Sequence, residues 1–173
     1  MKVSNEENKI SLVTLGCAKN LVDTEILVGG LKNNSYEIVE KPLESDVVIV
    51  NTCGFLDKAR EESVDTILDL GRLKKEGKIK KLIAMGCFTE RYGDAVEEEI
   101  PEVDKVFGSE EHASVLTYLT GKDFQRNDPD FQRSTLTPQH YAYLKISEGC
   151  DNVCSFCSIP LMRGLQQSQP IAW

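Results

Sequence analysis

Six cysteines in a chain of 173 residues fall into two sets of three. Cys17, Cys53 and Cys87 stand alone, 36 and 34 residues apart, whereas Cys150, Cys154 and Cys157 form the run C-x3-C-x2-C. Thiolates are soft ligands that favour iron-sulfur clusters or zinc. Where thiols stay reduced, such spacings point to metal binding or reactivity rather than to disulfides. Three thiolates within eight residues can wrap one cluster from a single loop. A cubane cluster held by only three protein ligands keeps one iron open to a small molecule, which turns an electron carrier into a catalyst. Bridges across such short spacings would be strained. The isolated cysteines have a plain packing alternative, since free cysteine is a small apolar residue that sits well under a sheet. Structural zinc usually takes four ligands in short Cys or His pairs, and neither His112 nor His140 lies near these three cysteines in sequence, so both histidines read as ordinary surface or core residues.

The elements flanking the isolated cysteines give them a common position. Lys9 to Leu15 reads as a buried strand that breaks at Gly16-Cys17, Asp46 to Asn51 as a second that ends at Thr52-Cys53-Gly54, and Lys81 to Met85 as a third that ends at Gly86-Cys87. A short strand is expected at Tyr36–Val39 and another over Val103–Phe107. Helices are predicted between them. The first has Asn20 as N-cap and Asp23 three residues on, with Leu21, Ile26, Leu27 and Leu31 near helical spacing; Gly29 and Gly30 each cost about 1 kcal/mol there and would let the helix approach the sheet. Asp57 caps the next, which runs to Lys75 with Val64, Ile67, Leu68 and Leu70 inward and stops at Gly77. Thr89 caps a third, running towards Glu99 before Pro101, and Glu110–Leu119 closes the series ahead of Gly121. The fold class is α/β, a doubly wound, mostly parallel sheet. Strands of such a sheet point one way, so Cys17, Cys53 and Cys87 are expected along its carboxyl edge, where α/β sheets bind ligands.

Composition agrees with one ordinary domain and part of another: 40% hydrophobic and 28% charged residues describe a globular chain. The net charge is -8, and residues 1–122 hold 16 basic and 23 acidic residues, so acidity belongs to the first part. This argues against a nucleic-acid coat, gives no sign of nucleic-acid contact, and suits a basic partner. No apolar run is long enough for a membrane span and the first ten residues lack a signal-peptide core, so the expected location is cytoplasmic. Three segments are expected: 1–122 as the first domain, 123–139 as a linker with Asn127-Asp128-Pro129-Asp130 and Leu136-Thr137-Pro138, and 140–173 as the start of a second domain. In the last, Tyr141–Ile146 alternates like a strand ahead of the cysteine run.

Glu148-Gly149-Cys150-Asp151-Asn152-Val153-Cys154-Ser155-Phe156-Cys157 resembles the signature of radical S-adenosylmethionine enzymes, with Phe156 at the usual aromatic position. The preceding 120 residues resemble the amino-terminal domain of methylthiotransferases. The wording of Leu15–Glu25, Asn51–Asp57 and Glu61–Ile67 is closest to the branch that modifies an aspartate of a small-subunit ribosomal protein rather than to the tRNA-modifying branch. That resemblance implies two 4Fe-4S clusters, one on Cys17, Cys53 and Cys87, the other on Cys150, Cys154 and Cys157. The second would also bind S-adenosyl-L-methionine and generate a radical that takes hydrogen from the aspartate β-carbon, while the first supplies a methylated sulfur. It further implies a partial α/β barrel of which 140–173 is only the beginning, a basic ribosomal protein as substrate, and an electron donor that the sequence does not identify. A chain of this length is then expected to be inactive alone. The family continues into a basic Ser-Arg-Pro stretch where this chain reads Ser168-Gln169-Pro170. The alternatives are a tRNA methylthiotransferase and a non-catalytic metal-binding module.

Overall fold

The structure, a computed structural model, describes residues 8–125 and 132–169. Five strands form one parallel sheet in the order β2-β1-β3-β4-β5: β1 Lys9–Thr14, β2 Glu37–Val39, β3 Val47–Thr52, β4 Lys81–Gly86 and β5 Lys105–Val106. Four helices connect and close them: α1 Ala18–Asn33, α2 Asp57–Lys75, α3 Cys87–Glu99 and α4 His112–Thr120. Alternation along the strands divides the core. Val47, Ile49, Ile83 and Met85 face one side with Leu27 and Leu31 of α1 and Leu116 and Leu119 of α4. Val48, Val50, Leu82 and Ala84 face the other, against Ile67 and Leu70 of α2 and Phe88 and Val96 of α3. A strand buried on both faces must be apolar at every position, which is why the central strand β3 reads Val-Val-Ile-Val before its polar end. The doubly wound α/β expectation holds.

Local details differ from the sequence reading. The N-caps are Cys17, Leu56 and Gly86, not Asn20, Asp57 and Thr89. Asn20 and Thr89 lie inside their helices with polar atoms engaged elsewhere: Asn20 holds strand-end carbonyls, and the Thr89 hydroxyl donates to Phe107 O at 2.7 Å; Asp57 is the first residue of α2 and pairs with Arg60. Leu68 is exposed, since the inward face of α2 passes through Ser63, Ile67, Leu70 and Gly71. Gly30 admits Leu116 of α4 rather than the sheet, and Gly29 admits the backbone of Gln132; a Cβ at either position would fall within 2.5 Å of these neighbours. Residues 132–137 are seated on α1 by its buried Glu25, which accepts Arg133 Nε–H at 2.7 Å and the Leu136 amide at 2.6 Å. Asn127-Asp128-Pro129-Asp130 lie outside the described residues.

The predicted strand over Tyr141–Ile146 is absent. Only Ser147–Glu148 pairs (β6), antiparallel with Gln167–Ser168 (β7), after the five-residue helix Ile159–Arg163 (α5). A strand requires a neighbour to take its backbone groups, and over 141–146 the backbone bonds are Tyr141 N–H to Pro138 O and Gln169 N–H to Ile146 O, with no strand alongside among the described residues. Leu144 accordingly remains 83% exposed.

Candidate metal centre

In strand order β2-β1-β3-β4-β5 the chain leaves β1 in one direction and returns to β3 on its other side, so the topological switch point lies between β1 and β3. Cys17 follows β1 and Cys53 follows β3, one on each side of that crevice, and Cys87 follows β4. Register brings them to one edge. Thr52 pairs with Gly86, so Cys53 and Cys87 stand one residue beyond a matched pair, and the Leu15 amide donates to Asn51 O at 2.9 Å, carrying the β1 pairing up to Gly16. Two glycines allow the turns. Gly16 has φ +89° and a Cβ there would lie 2.6 Å from Cys53 Cβ; Gly86 has φ +112° and a Cβ there would lie 2.5 Å from Asn51 Oδ1.

Each cysteine is held differently. Cys17 caps α1 and is exposed. Cys53 is buried and its amide donates to Ser63 Oγ at 3.0 Å, while the Ser63 hydroxyl is within reach of Cys53 O and Ala59 O. Cys87 is buried at the start of α3, where it receives Arg163 Nε–H on its sulfur at 3.0 Å. Burial pushes the Cys87 thiol up to about 11, against the opposing pull of the Arg163 guanidinium. Asn20 binds the group together. Its Nδ2 donates to Leu15 O at 2.8 Å and Thr52 O at 3.0 Å, the carbonyls just before the Cys17 and Cys53 turns, and its Oδ1 receives Arg163 Nη2–H at 2.7 Å.

Cys150, Cys154 and Cys157 share one loop between β6 and α5. The Cys150 amide donates to Gly164 O at 3.1 Å and the Cys157 amide to Cys154 O at 3.0 Å. Asn152 Nδ2 donates to Cys150 Sγ at 3.6 Å. All six thiols are free, and Cys154 is exposed. The donor chemistry suits a soft metal: three free thiols follow strands at one sheet edge and three share a single loop.

Between the two trios lies a buried charge network that the sequence did not reveal. Arg163 Nη1 donates to Asp23 Oδ2 at 2.6 Å; Lys145 Nζ donates to Asp23 Oδ1 at 2.8 Å and Glu110 Oε1 at 3.0 Å and pairs with Glu148; Lys19 Nζ donates to Glu148 Oε1 at 2.8 Å. Asp23, Glu110 and Glu148 bring carboxylate oxygens within 4.8 Å of one another, but three cations already neutralise them, so this is an ion-pair network rather than a metal site. Burial by itself would raise the Glu148 carboxyl, yet hydrogen bonds from Lys145 and Lys19 outweigh it and hold the group at about 2. His112 is buried at the network's edge, 3.8 Å from Asp23, and burial lowers its pKa. It is a core residue, as expected, though nearer the cysteine edge than its sequence position implied. The signal for the network was Asn20 and Asp23, three residues apart on α1. Nothing in the sequence marked Arg163 as buried.

Residues 9–108 match the family described as "Uncharacterized protein family UPF0004". Curated relatives match almost the whole chain. "Ribosomal protein uS12 methylthiotransferase RimO" of Chloroherpeton thalassium is 47% identical over 169 residues, which is 98% of this chain and 38% of the relative. The proteins of the same name from Flavobacterium psychrophilum and Aquifex aeolicus are each 49% identical, over 97% and 94% of this chain and 38% and 36% of their own lengths. The chain thus spans a little over a third of the curated relatives it matches.

Proposed function

The chain belongs to the UPF0004 family, and from that membership we propose that it is the amino-terminal part of a ribosomal protein uS12 methylthiotransferase. Residues 1–122 form the first cluster domain, 123–139 connect it, and 140–173 begin the radical S-adenosylmethionine domain. Cys17, Cys53 and Cys87 hold one 4Fe-4S cluster; Cys150, Cys154 and Cys157 hold the other and, through its open iron, S-adenosyl-L-methionine. When bound, these groups supply the radical and sulfur-transfer chemistry. The chain's own residues supply position. The sheet edge places two thiols across the switch point and a third after β4, Ser63 clamps the Cys53 backbone, and Asn20 spans the Cys17 and Cys53 turns. The observation that carries the reading is the meeting of both cysteine-bearing segments, with Arg163 from beyond the second trio on the sulfur of Cys87 from the first. A two-centre reaction requires that proximity, because a radical must meet its partner before it meets water. The substrate is then a basic ribosomal protein in the cytoplasm, and among the described residues no helix is long and apolar enough to cross a membrane.

The test is anaerobic reconstitution with iron, zinc and acid-labile sulfide counted per chain. About eight irons with matching sulfide are expected, falling to about four in Cys87→Ala and about four in Cys154→Ala. Zinc without sulfide would support a non-catalytic metal-binding module instead. Mass gain on tRNA rather than on uS12, assayed with a protein of the relatives' full length, would move the assignment to the tRNA-modifying branch.

A further inference from the structure

Arg163 is 3% exposed at its side chain and engages all three of its nitrogens: Nε on Cys87 Sγ at 3.0 Å, Nη1 on Asp23 at 2.6 Å, and Nη2 on Asn20 Oδ1 at 2.7 Å. A guanidinium is planar, so three bonds in fixed directions leave it a single orientation. Through Asn20 it also reaches the Leu15 and Thr52 carbonyls, which precede the other two cysteines. One side chain therefore touches one sulfur of the first trio directly and holds the turns of the other two. Its charge is neither surplus nor accidental. Asp23, Glu110 and Glu148 are matched by Lys19, Lys145 and Arg163, so the network is neutral before any thiolate is counted. A Cys87 thiolate bound to iron adds a negative charge facing Arg163 alone among these cations.

We propose that Arg163 is a positioning residue for the Cys17, Cys53 and Cys87 centre, donating a charge-assisted hydrogen bond to the ligand sulfur of Cys87 and thereby raising that cluster's reduction potential. The proposal rests on the reading that these three cysteines hold an iron-sulfur cluster. A hydrogen bond to a ligand sulfur, with a positive charge behind it, favours the more negative, reduced cluster. Because Arg163 ends α5, directly after the second trio, the same bond anchors the segment carrying the second centre to a ligand of the first.

The experiment uses the whole chain with Cys150, Cys154 and Cys157 replaced by Ala, so that only the first cluster loads. Iron and sulfide are counted, and the midpoint is read by redox titration with electron paramagnetic resonance detection, for Arg163, Arg163→Lys and Arg163→Gln. Expected are about four irons in each, a midpoint shifted to more negative potential in Arg163→Gln, and an intermediate shift in Arg163→Lys, which keeps the charge but not the fork. An unchanged midpoint in a variant that still binds its iron overturns the proposal and leaves Arg163 a purely structural ion-pair partner. If Arg163→Gln does not fold, the Arg163→Lys midpoint decides by the same criterion. No iron uptake by the parent with Arg163 intact overturns the cluster reading itself, and this inference with it.

Discussion

Cys53 and Cys87 are each 7% exposed at the edge of a sheet whose central strand is buried throughout, whereas Val153 and Phe156, inside the second cysteine run, are 93% and 90% exposed. The two regions offer the same three sulfurs by opposite means. In the first, thiols 36 and 34 residues apart are placed along one sheet edge by strand register, two positive-φ glycines and a serine clamp. In the second, adjacency in sequence suffices, and the loop is secured by a few backbone bonds near Gly164 and by Arg163. The comparison teaches that a set of thiols can be placed by tertiary structure or by local spacing, and that the first kind ties the placement of its thiols to the stability of the domain.

Substitutions on either side can break that comparison. Ile49→Ala, in the middle of β3, removes a side chain buried between sheet and helices and should cost about 4 kcal/mol of unfolding free energy in denaturant melts; a loss below about 1 kcal/mol would mean that the sheet is not the frame of the site. Next comes Glu148→Gln at the seam of the two regions, which leaves Lys145 and Arg163 short of a carboxylate and should cost about 3 kcal/mol at neutral pH.

The pH profile of that variant sharpens the point. The folded Glu148 carboxyl lies at about 2, below its ordinary 4.5, so its stabilisation is complete above about 4.5 and is lost as pH falls towards 2. Acid unfolding of the metal-free, reduced chain should therefore lose its Glu148-dependent part between these values, and Glu148→Gln should be flatter there; identical profiles would remove the ion pair from the account. Ser63→Ala leaves the buried Cys53 amide unpartnered and should cost about 2 kcal/mol, with weaker iron retention at the first centre only. The smallest effect belongs to the second region: Phe156→Ala should change the stability of this chain by no more than about 0.5 kcal/mol. A larger loss would show that the loop is packed after all.

Much of the fold was legible because its signals are local. Continuous apolar runs marked β1, β3 and β4, and Gly77 and Gly121, both with φ near +70°, stand where the sequence placed helix ends. The caps were misread because Asn20, Asp57 and Thr89 carry the right chemistry for capping, and only the neighbouring strand ends show that Asn20 and Thr89 are engaged elsewhere. Tyr141–Ile146 alternates as a strand does, but alternation reports a preference, and pairing needs a partner.

The sequence by itself determined the spacing of the thiols and the order of the elements, because thiol spacing, glycine positions and hydrophobic period are properties of neighbours along the chain. Only the tertiary structure decided that α1 carries a buried Asn20 and Asp23, that Glu148 and Lys145 pair beneath the second trio, and that Arg163 crosses 76 residues of sequence to the sulfur of Cys87. Those contacts join groups with no shared local pattern. A charged side chain is read as exposed unless something pays its desolvation, and here the compensating carboxylates come from three separate segments.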